Sequence, residues 1–174
     1  MRIISGKHKG KRIIAPQNLP VRPTTDRAKE ALFNILESRY YFNGKNVLDL
    51  FSGTGNISYE FASRGIEEII CIDSNYNCIR FIDSYSEQLK INISTTKSDC
   101  IEYLNRCEKQ FNFIFADPPY YYNNHLELVK IVRTNNLVKD DGCLIIEHDN
   151  TTSFEEENAE LRKYGTVHFS IFSF

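Results

Sequence analysis

From Lys45 onward the sequence alternates short apolar runs with stretches of helical spacing, and each apolar run ends in or beside an acid. The runs NVLDLF (46–51), EIICID (68–73), ISTTKSD (93–99), FNFIFAD (111–117) and CLIIEHD (143–149) read as strands. Residues 56–64, 76–90, 100–108 and 123–134 read as helices between them. Such alternation predicts an α/β domain with a mostly parallel, doubly wound sheet. A last run, VHFSIFSF (167–174), has no helix after it and fits an antiparallel closing strand. Upstream, TDRAKEALFNILES (25–38) sets Ala28, Leu32, Ile35 and Leu36 at helical spacing, with Thr25 or Asp26 as N-cap. Residues 150–165 carry no motif and read as a surface helix and loop.

In open α/β sheets ligands bind outside the carboxyl ends of the strands. Those ends carry Asp49, Asp73, Asp99, Asp117 and the Glu147–Asp149 stretch. A single acid after a strand is unremarkable, whereas a series along one sheet edge points to a site. After the first strand, DLFSGTGNIS (49–58) supplies Gly53 and Gly55 for a sharp turn and close backbone approach. Ser58 stands where a dinucleotide fingerprint would have its third glycine, so that fingerprint is incomplete. Asp49 would repel a pyrophosphate but hold an ammonium group. Asp73 is placed to accept from ribose hydroxyls, and Asp99 from an adenine amino group. Together they describe an adenosine with a cationic amino-acid tail, S-adenosylmethionine. Taken singly, Asp49 or Asp73 could equally be a helix N-cap.

The fourth strand runs into FADPPYYYNN (115–124). Asp117 precedes a proline and is confined to extended conformations, and Pro118 and Pro119 fix their own φ. The turn offers acceptors without competing N–H donors, and Tyr120 adds an aromatic face. An exocyclic amino group on a nucleobase matches both, with its two N–H donors and attached flat ring. Its lone pair is delocalised into the ring, so acceptors at its hydrogens can turn that pair toward an electrophilic methyl. Asp117 would then stabilise positive charge developing on nitrogen, while Tyr120 stacks on the extracted base. Tyr121 and Tyr122 either touch substrate or pack the loop, and Asn123 and Asn124 either do so or open the next helix.

At 174 residues the chain is most simply one domain. Its formal net charge of −2 is uneven, since residues 1–30 carry eight Lys and Arg against two acids. RIISGKHKGKRII (2–14) reads as a β-hairpin with a basic tip, either a footprint for a polyanion or a solvated face. LPVRPTT (19–25) reads as a linker or loop. No apolar run reaches membrane-spanning length, and no secretory signal is expected. Five cysteines without a C-x-x-C pair fit a reducing cytosol. His8, His125, His148 and His168 lack ligand-like spacing, so no metal is expected.

The sequence resembles class I methyltransferases, and more narrowly the RsmD family of bacterial 16S rRNA guanine-N2 methyltransferases. The resemblance rests on RIISGKHKGKRI at the start, RPTTDRAKEALFNIL (22–36), DLFSGTG (49–55), IDSN (72–75), SDC (98–100) and DPPY (117–120). RPTTDRAKEALFNIL is the most diagnostic of these. The resemblance implies a Rossmann-like, seven-stranded sheet with helices on both faces, a reversed final strand and an N-terminal hairpin arm over residues 1–21. It implies a methyltransferase domain over 22–174. The cofactor would lie against Asp49, Phe51, Ser52, Gly53, Thr54, Gly55, Asp73, Ser74, Asp99, Cys100 and Asp117, with Arg22, Thr24 and Asp26 at its border. Catalysis falls to Asp117, Pro118, Pro119 and Tyr120. The arm, through Arg2, Lys7, Lys9, Lys11, Arg12 and Arg22, would contact 16S rRNA or the small ribosomal subunit. The expectation is a cytoplasmic monomer.

Rival readings share parts of this pattern. DNA adenine-N6 methyltransferases use the same D-P-P-Y logic but usually add a target-recognition region, for which little chain remains. A protein-glutamine methyltransferase would carry Asn in place of Asp117, and a cytosine-C5 enzyme needs a cysteine in this loop. Asp49 and Ser58 argue against an NAD-dependent dehydrogenase. A non-catalytic RNA-binding protein retaining the fold is the remaining alternative.

Overall fold

The computed structural model describes residues 1–16, 19, 24–119, 121–154 and 157–174. Helix α1 (Asp26–Arg39) leads into four strand–helix units and a fifth strand. These are β1 (Asn46–Leu50), α2 (Asn56–Ser63), β2 (Glu68–Asp73), α3 (Tyr76–Leu89), β3 (Ile93–Lys97), α4 (Cys100–Arg106), β4 (Phe111–Ala116), α5 (His125–Thr134) and β5 (Val138–His148). Strands β6 (Glu160–Tyr164) and β7 (Val167–Ser173) close the chain. The seven strands lie in the order β3-β2-β1-β4-β5-β7-β6. All pairs through β5 are parallel, and β7 is antiparallel to both its neighbours. This is the expected seven-stranded α/β sheet with a reversed final strand.

Continuous apolar runs suit strands covered on both faces. Val47, Phe113, Phe115, Cys143 and Ile145 point to one side and pack under α1 and α2 with Leu32, Phe33, Leu36, Ile57 and Phe61. Leu48, Leu50, Ile114, Ala116, Leu144 and Ile146 point to the other, against Leu104 of α4 and Leu128, Val129 and Val132 of α5. Helix α1 starts at Thr25, whose side chain accepts from the Ala28 amide.

One segment departs from the sequence reading. Residues 160–164, expected in a helix and loop, form the edge strand β6, joined to β7 by a turn with Gly165 at φ 66°. As an edge strand with mostly exposed polar side chains, it lacks the alternation that marks a half-buried strand. The N-terminal arm curls back as the expected hairpin, closed by the antiparallel Arg2–Arg12 bridge and by backbone bonds from Ile3 N to the Lys11 carbonyl and Ile13 N to the Met1 carbonyl, both 3.0 Å. Other amides of the arm go to α2. Ile4 N and Ser5 N donate to the Glu60 carboxylate (2.8 and 3.0 Å), Lys7 N to the Ser63 carbonyl (2.7 Å) and His8 N to the Ser63 hydroxyl (2.9 Å). Gly6 is required at this contact, since a Cβ there would lie 1.8 Å from the Ser63 carbonyl oxygen.

Beneath the arm lies Lys29, a lysine with no exposed side-chain surface. Its ammonium donates to the Arg2 carbonyl (2.7 Å) and Asn56 Oδ1 (2.8 Å) and pairs with Glu60 at 3.4 Å. Burial lowers its pKa, and the Glu60 charge opposes that shift. The Arg64 guanidinium also donates to Glu60, at 2.8 Å. Removing one partner of a buried pair leaves an uncompensated charge and costs about 3–5 kcal/mol. Glu60→Ala is therefore expected to lower unfolding stability by about that amount. A loss below about 1 kcal/mol in urea denaturation, the ordinary worth of an exposed pair, would contradict this account.

Candidate active site

The carboxyl ends of β1, β2, β4 and β5 open into one cavity of about 450 Å³. Its floor is the turn after β1. Phe51 holds a left-handed φ of 58°, an uncommon conformation for an aromatic residue that costs of order 1–3 kcal/mol. The Ser52 amide and hydroxyl donate to the Ile72 carbonyl at 3.0 and 3.1 Å, tying the turn to the end of β2. Gly53 N donates to Asp73 Oδ2 at 2.8 Å, and Asn75 N to Oδ1 at 2.7 Å. Phe51, Ser52, Gly53, Thr54, Asp73 and Ser74 all line the cavity. Gly55 does not; it caps α2 at φ 76°, where a Cβ would meet the Tyr59 ring at 2.9 Å.

Asp49, Asp117, Glu147 and Asp149 supply the other acidic lining. The Ser58 hydroxyl donates to Asp49 Oδ2 at 2.6 Å, so the residue that broke the dinucleotide fingerprint orients this carboxylate. Burial pushes the Asp49 pKa up to about 7, the Ser58 bond opposing. Burial also raises Asp117 well above the usual carboxylate range, with the Glu147 and Asp49 charges adding to the effect. Glu147 is raised to about 7 by burial, while the Thr24 hydroxyl, donating at 2.7 Å, opposes it. Asp73 is raised by burial against its two amide bonds. Adjoining carboxyls in a dry cavity favour sharing protons or receiving a cation.

Pro118 and Pro119 line the cavity beside Asp117, as does Thr24. Tyr120 and Arg22 lie outside the described residues. Tyr121 reaches the lining with its side chain largely exposed, while Tyr122 packs on Phe51 with ring centroids 5.1 Å apart. Asp99 and Cys100, expected at the cofactor, stand outside the cavity lining. Asp99 Oδ1 accepts from the Ile101 and Glu102 amides (2.9 and 3.1 Å), capping α4. Cys100 is buried, its thiol pushed up to about 11 by burial. Asp26 opens α1 and pairs with Arg2 at 3.3 Å, away from the lining. Among the arm cations, Arg2, Lys7, Lys9, Lys11 and Arg12 are exposed.

The sequence reading assigned no role to Glu147, Asn56, His125 or His148, all of which line the cavity. For Glu147 the strand-end position was the available signal. Asn56 and the histidines, whose pKa values burial lowers, gave none. Among the described residues no cluster of three or more His, Cys, Asp or Glu is placed to hold a metal. No described helix is long and apolar enough to cross a membrane.

A strand order of 3-2-1-4-5-7-6 with β7 reversed, and the cavity across β2, β1, β4 and β5, define the class I methyltransferase architecture. The family model described as "Conserved hypothetical protein 95" matches residues 1–173. The chain belongs to this family, the RsmD family to which the sequence motifs pointed. The ribosomal RNA small subunit methyltransferase D of Buchnera aphidicola subsp. Baizongia pistaciae is 32% identical over 152 residues, 87% of this chain and 77% of the relative. A hypothetical protein of Thermus thermophilus superposes with a TM-score of 0.89 over 100% of this chain and 99% of its own, at 23% identity. The T. thermophilus 16S rRNA N2 methyltransferase RsmC, solved with AdoMet and guanosine, has a TM-score of 0.73 at 16% identity, covering 89% of this chain and 45% of its own. At these identities the two structures establish a shared fold.

The raised carboxyl pKa values carry a stability cost with a definite sign. Between its ordinary pKa of 3.8 and about 7, folded Asp49 binds a proton that the unfolded chain has released. Its contribution to stability is therefore lost as pH rises through that window, on the order of 4 kcal/mol once both states are ionised. Asp49→Asn is expected to melt above the parent at pH 8, with the gain shrinking toward pH 5. An equal difference at both pH values in thermal denaturation would overturn this.

Proposed function

We propose that this chain transfers a methyl group from S-adenosylmethionine to the exocyclic N2 of a guanine in 16S rRNA, acting as a cytoplasmic monomer. The observation that carries the reading is Asp117, a half-buried residue followed by two prolines at the wall of the cavity that Asp49 and Asp73 also line. The name of the 32%-identical relative, a ribosomal RNA small subunit methyltransferase, supports the same substrate class.

The residues present fit the cofactor. Asp49 is buried with a pKa near 7 and gains most from a neighbouring cation, which the ammonium of the methionine moiety would supply. Asp73, fixed by two amides, offers acceptor positions for ribose hydroxyls. The bound cofactor supplies an electrophilic methyl on a sulfonium. The chain's own work lies in holding the amine that attacks it. Asp117 would accept an N2–H bond and direct the nitrogen lone pair out of conjugation with the ring. Its raised pKa makes it a competent acceptor for the proton that the methylated nitrogen must shed. Pro118 and Pro119 hold that carboxyl in one orientation, so alignment is built in before substrate arrives. The exposed Lys7, Lys9 and Lys11 lie on an arm bonded to α2, the helix that opens at the cofactor turn, a position suited to gripping RNA phosphates.

The primary test is transfer of labelled methyl to unmodified small ribosomal subunits, with duplex DNA in parallel and the product nucleoside identified by mass. N2-methylguanosine from rRNA is expected. N6-methyladenine from DNA would overturn the substrate, and no transfer with intact cofactor binding would favour a non-catalytic RNA-binding role. Asp117→Ala should lower kcat by at least about a hundredfold, the lower range for a positioned proton acceptor, with calorimetric cofactor affinity nearly unchanged. Persistent turnover would remove Asp117 from the mechanism. Replacing Lys7, Lys9 and Lys11 together by Ala should weaken RNA binding and flatten its dependence on salt. An unchanged salt slope would move the RNA site off the arm.

A further inference from the structure

We infer that Glu147 determines the choice of base, accepting from ring N1–H of the target guanine while Asp117 holds the N2 amine. The inference rests on the guanine-N2 reading above. Ala116 of β4 is paired with Ile146 of β5, so the next residues, Asp117 and Glu147, emerge side by side. Side chains alternate along a strand, which puts both on the face that carries Phe115 and Ile145, the face that also holds Asp49 opposite Phe115. Across the sheet the strand ends thus present Asp73, Asp49, Asp117 and Glu147 in order. The first two are cofactor-side groups. A base with its amine at Asp117 therefore carries the rest of its ring toward β5 and Glu147.

Glu147 is 9% exposed and faces the cavity. Thr24 fills Oε2, whereas Oε1 has no donor among the described residues. A carboxylate held this way by a threonine that is itself bonded, through its carbonyl, to Asn56 has one defined orientation and one open acceptor. Guanine presents adjacent N1–H and N2–H donors on its Watson–Crick edge, and paired carboxylates accept from both. Adenine presents a bare N1 lone pair at the neighbouring position, which an ionised Glu147 would repel. A site built to hydrogen-bond an N–H discriminates strongly against an analogue lacking it, because its buried acceptor is left unpaired. Glu147 takes no proton in this role; it reads the base and fixes its register.

The test uses small subunits reconstituted with guanine or 2-aminopurine at the nucleotide that methyl mapping identifies. 2-Aminopurine keeps the N2 amine and lacks N1–H. The parent protein should prefer guanine by at least about tenfold in kcat/KM, the scale of one charge-assisted hydrogen bond. Glu147→Gln, whose amide can donate to the bare N1, should narrow that ratio by at least about tenfold, with cofactor affinity preserved and a melting temperature no lower than the parent's. Thr24→Val, which keeps the carboxylate but releases it, should lower kcat/KM on guanine and narrow the ratio less. A purely structural Glu147 would change rate without changing the ratio. Equal ratios in parent and Glu147→Gln, or a parent indifferent to N1–H, overturn the inference while leaving guanine methylation intact. A parent that leaves guanine N2 unmethylated fails at the earlier step, before any variant is compared.

Discussion

The buried ammonium of Lys29 joins parts of the chain that are far apart in sequence. It takes the Arg2 carbonyl from the arm, Asn56 from the start of α2 and the Glu60 charge from its middle. Asn56 in turn donates to the Thr24 carbonyl, and Thr24 to Glu147 at the far side of the cavity. A lysine without exposed surface is tolerated only when its charge and its protons are matched. That requirement fixes the arm, the entry to α1 and the head of α2 as one unit. The arm is therefore no free tail: the amides of Ile4, Ser5, Lys7 and His8 go into α2, and its cationic side chains, left outside, face solvent.

The matching of partners is reversed at the cavity. Asp49 and Glu147 each receive one hydroxyl bond, and for Asp117 no donor is found among the described residues. Burial without full satisfaction raises their pKa values and lowers the stability of the ligand-free protein at neutral pH. Lys29 shows that this fold can satisfy a buried charge when structure alone is at stake. Leaving three carboxyls short of partners marks them as groups waiting for cations and N–H donors, which strained Phe51 at the turn also suits.

Much of this was legible because parallel strands buried on both faces announce themselves. NVLDL and FNFIFA carry apolar residues on both sides, and their terminal acids fall where an open α/β sheet binds ligands. The turn at 52–55 followed from its glycines. What escaped depended on contacts that no local pattern encodes. Strand β6 hides because an exposed edge strand needs no apolar alternation. That Glu60 and Ser63, more than fifty residues away, take amides of the arm was equally invisible.

Glu147 sits between these cases. Its position near the end of β5 was visible, but its meaning comes from register: a shift of one residue between β4 and β5 would turn its side chain to the opposite face, away from Asp117. That register is set where the strands are irregular, at the bulge between Phe111 and Phe113, opposite the Val138–Cys143 stretch with Asp141 at φ 60°. Between those paired positions β4 advances by two residues and β5 by five, and an odd surplus on one strand exchanges the faces that its later residues present. Base recognition at the carboxyl ends of these strands thus depends on an irregularity at their opposite ends, remote from any substrate.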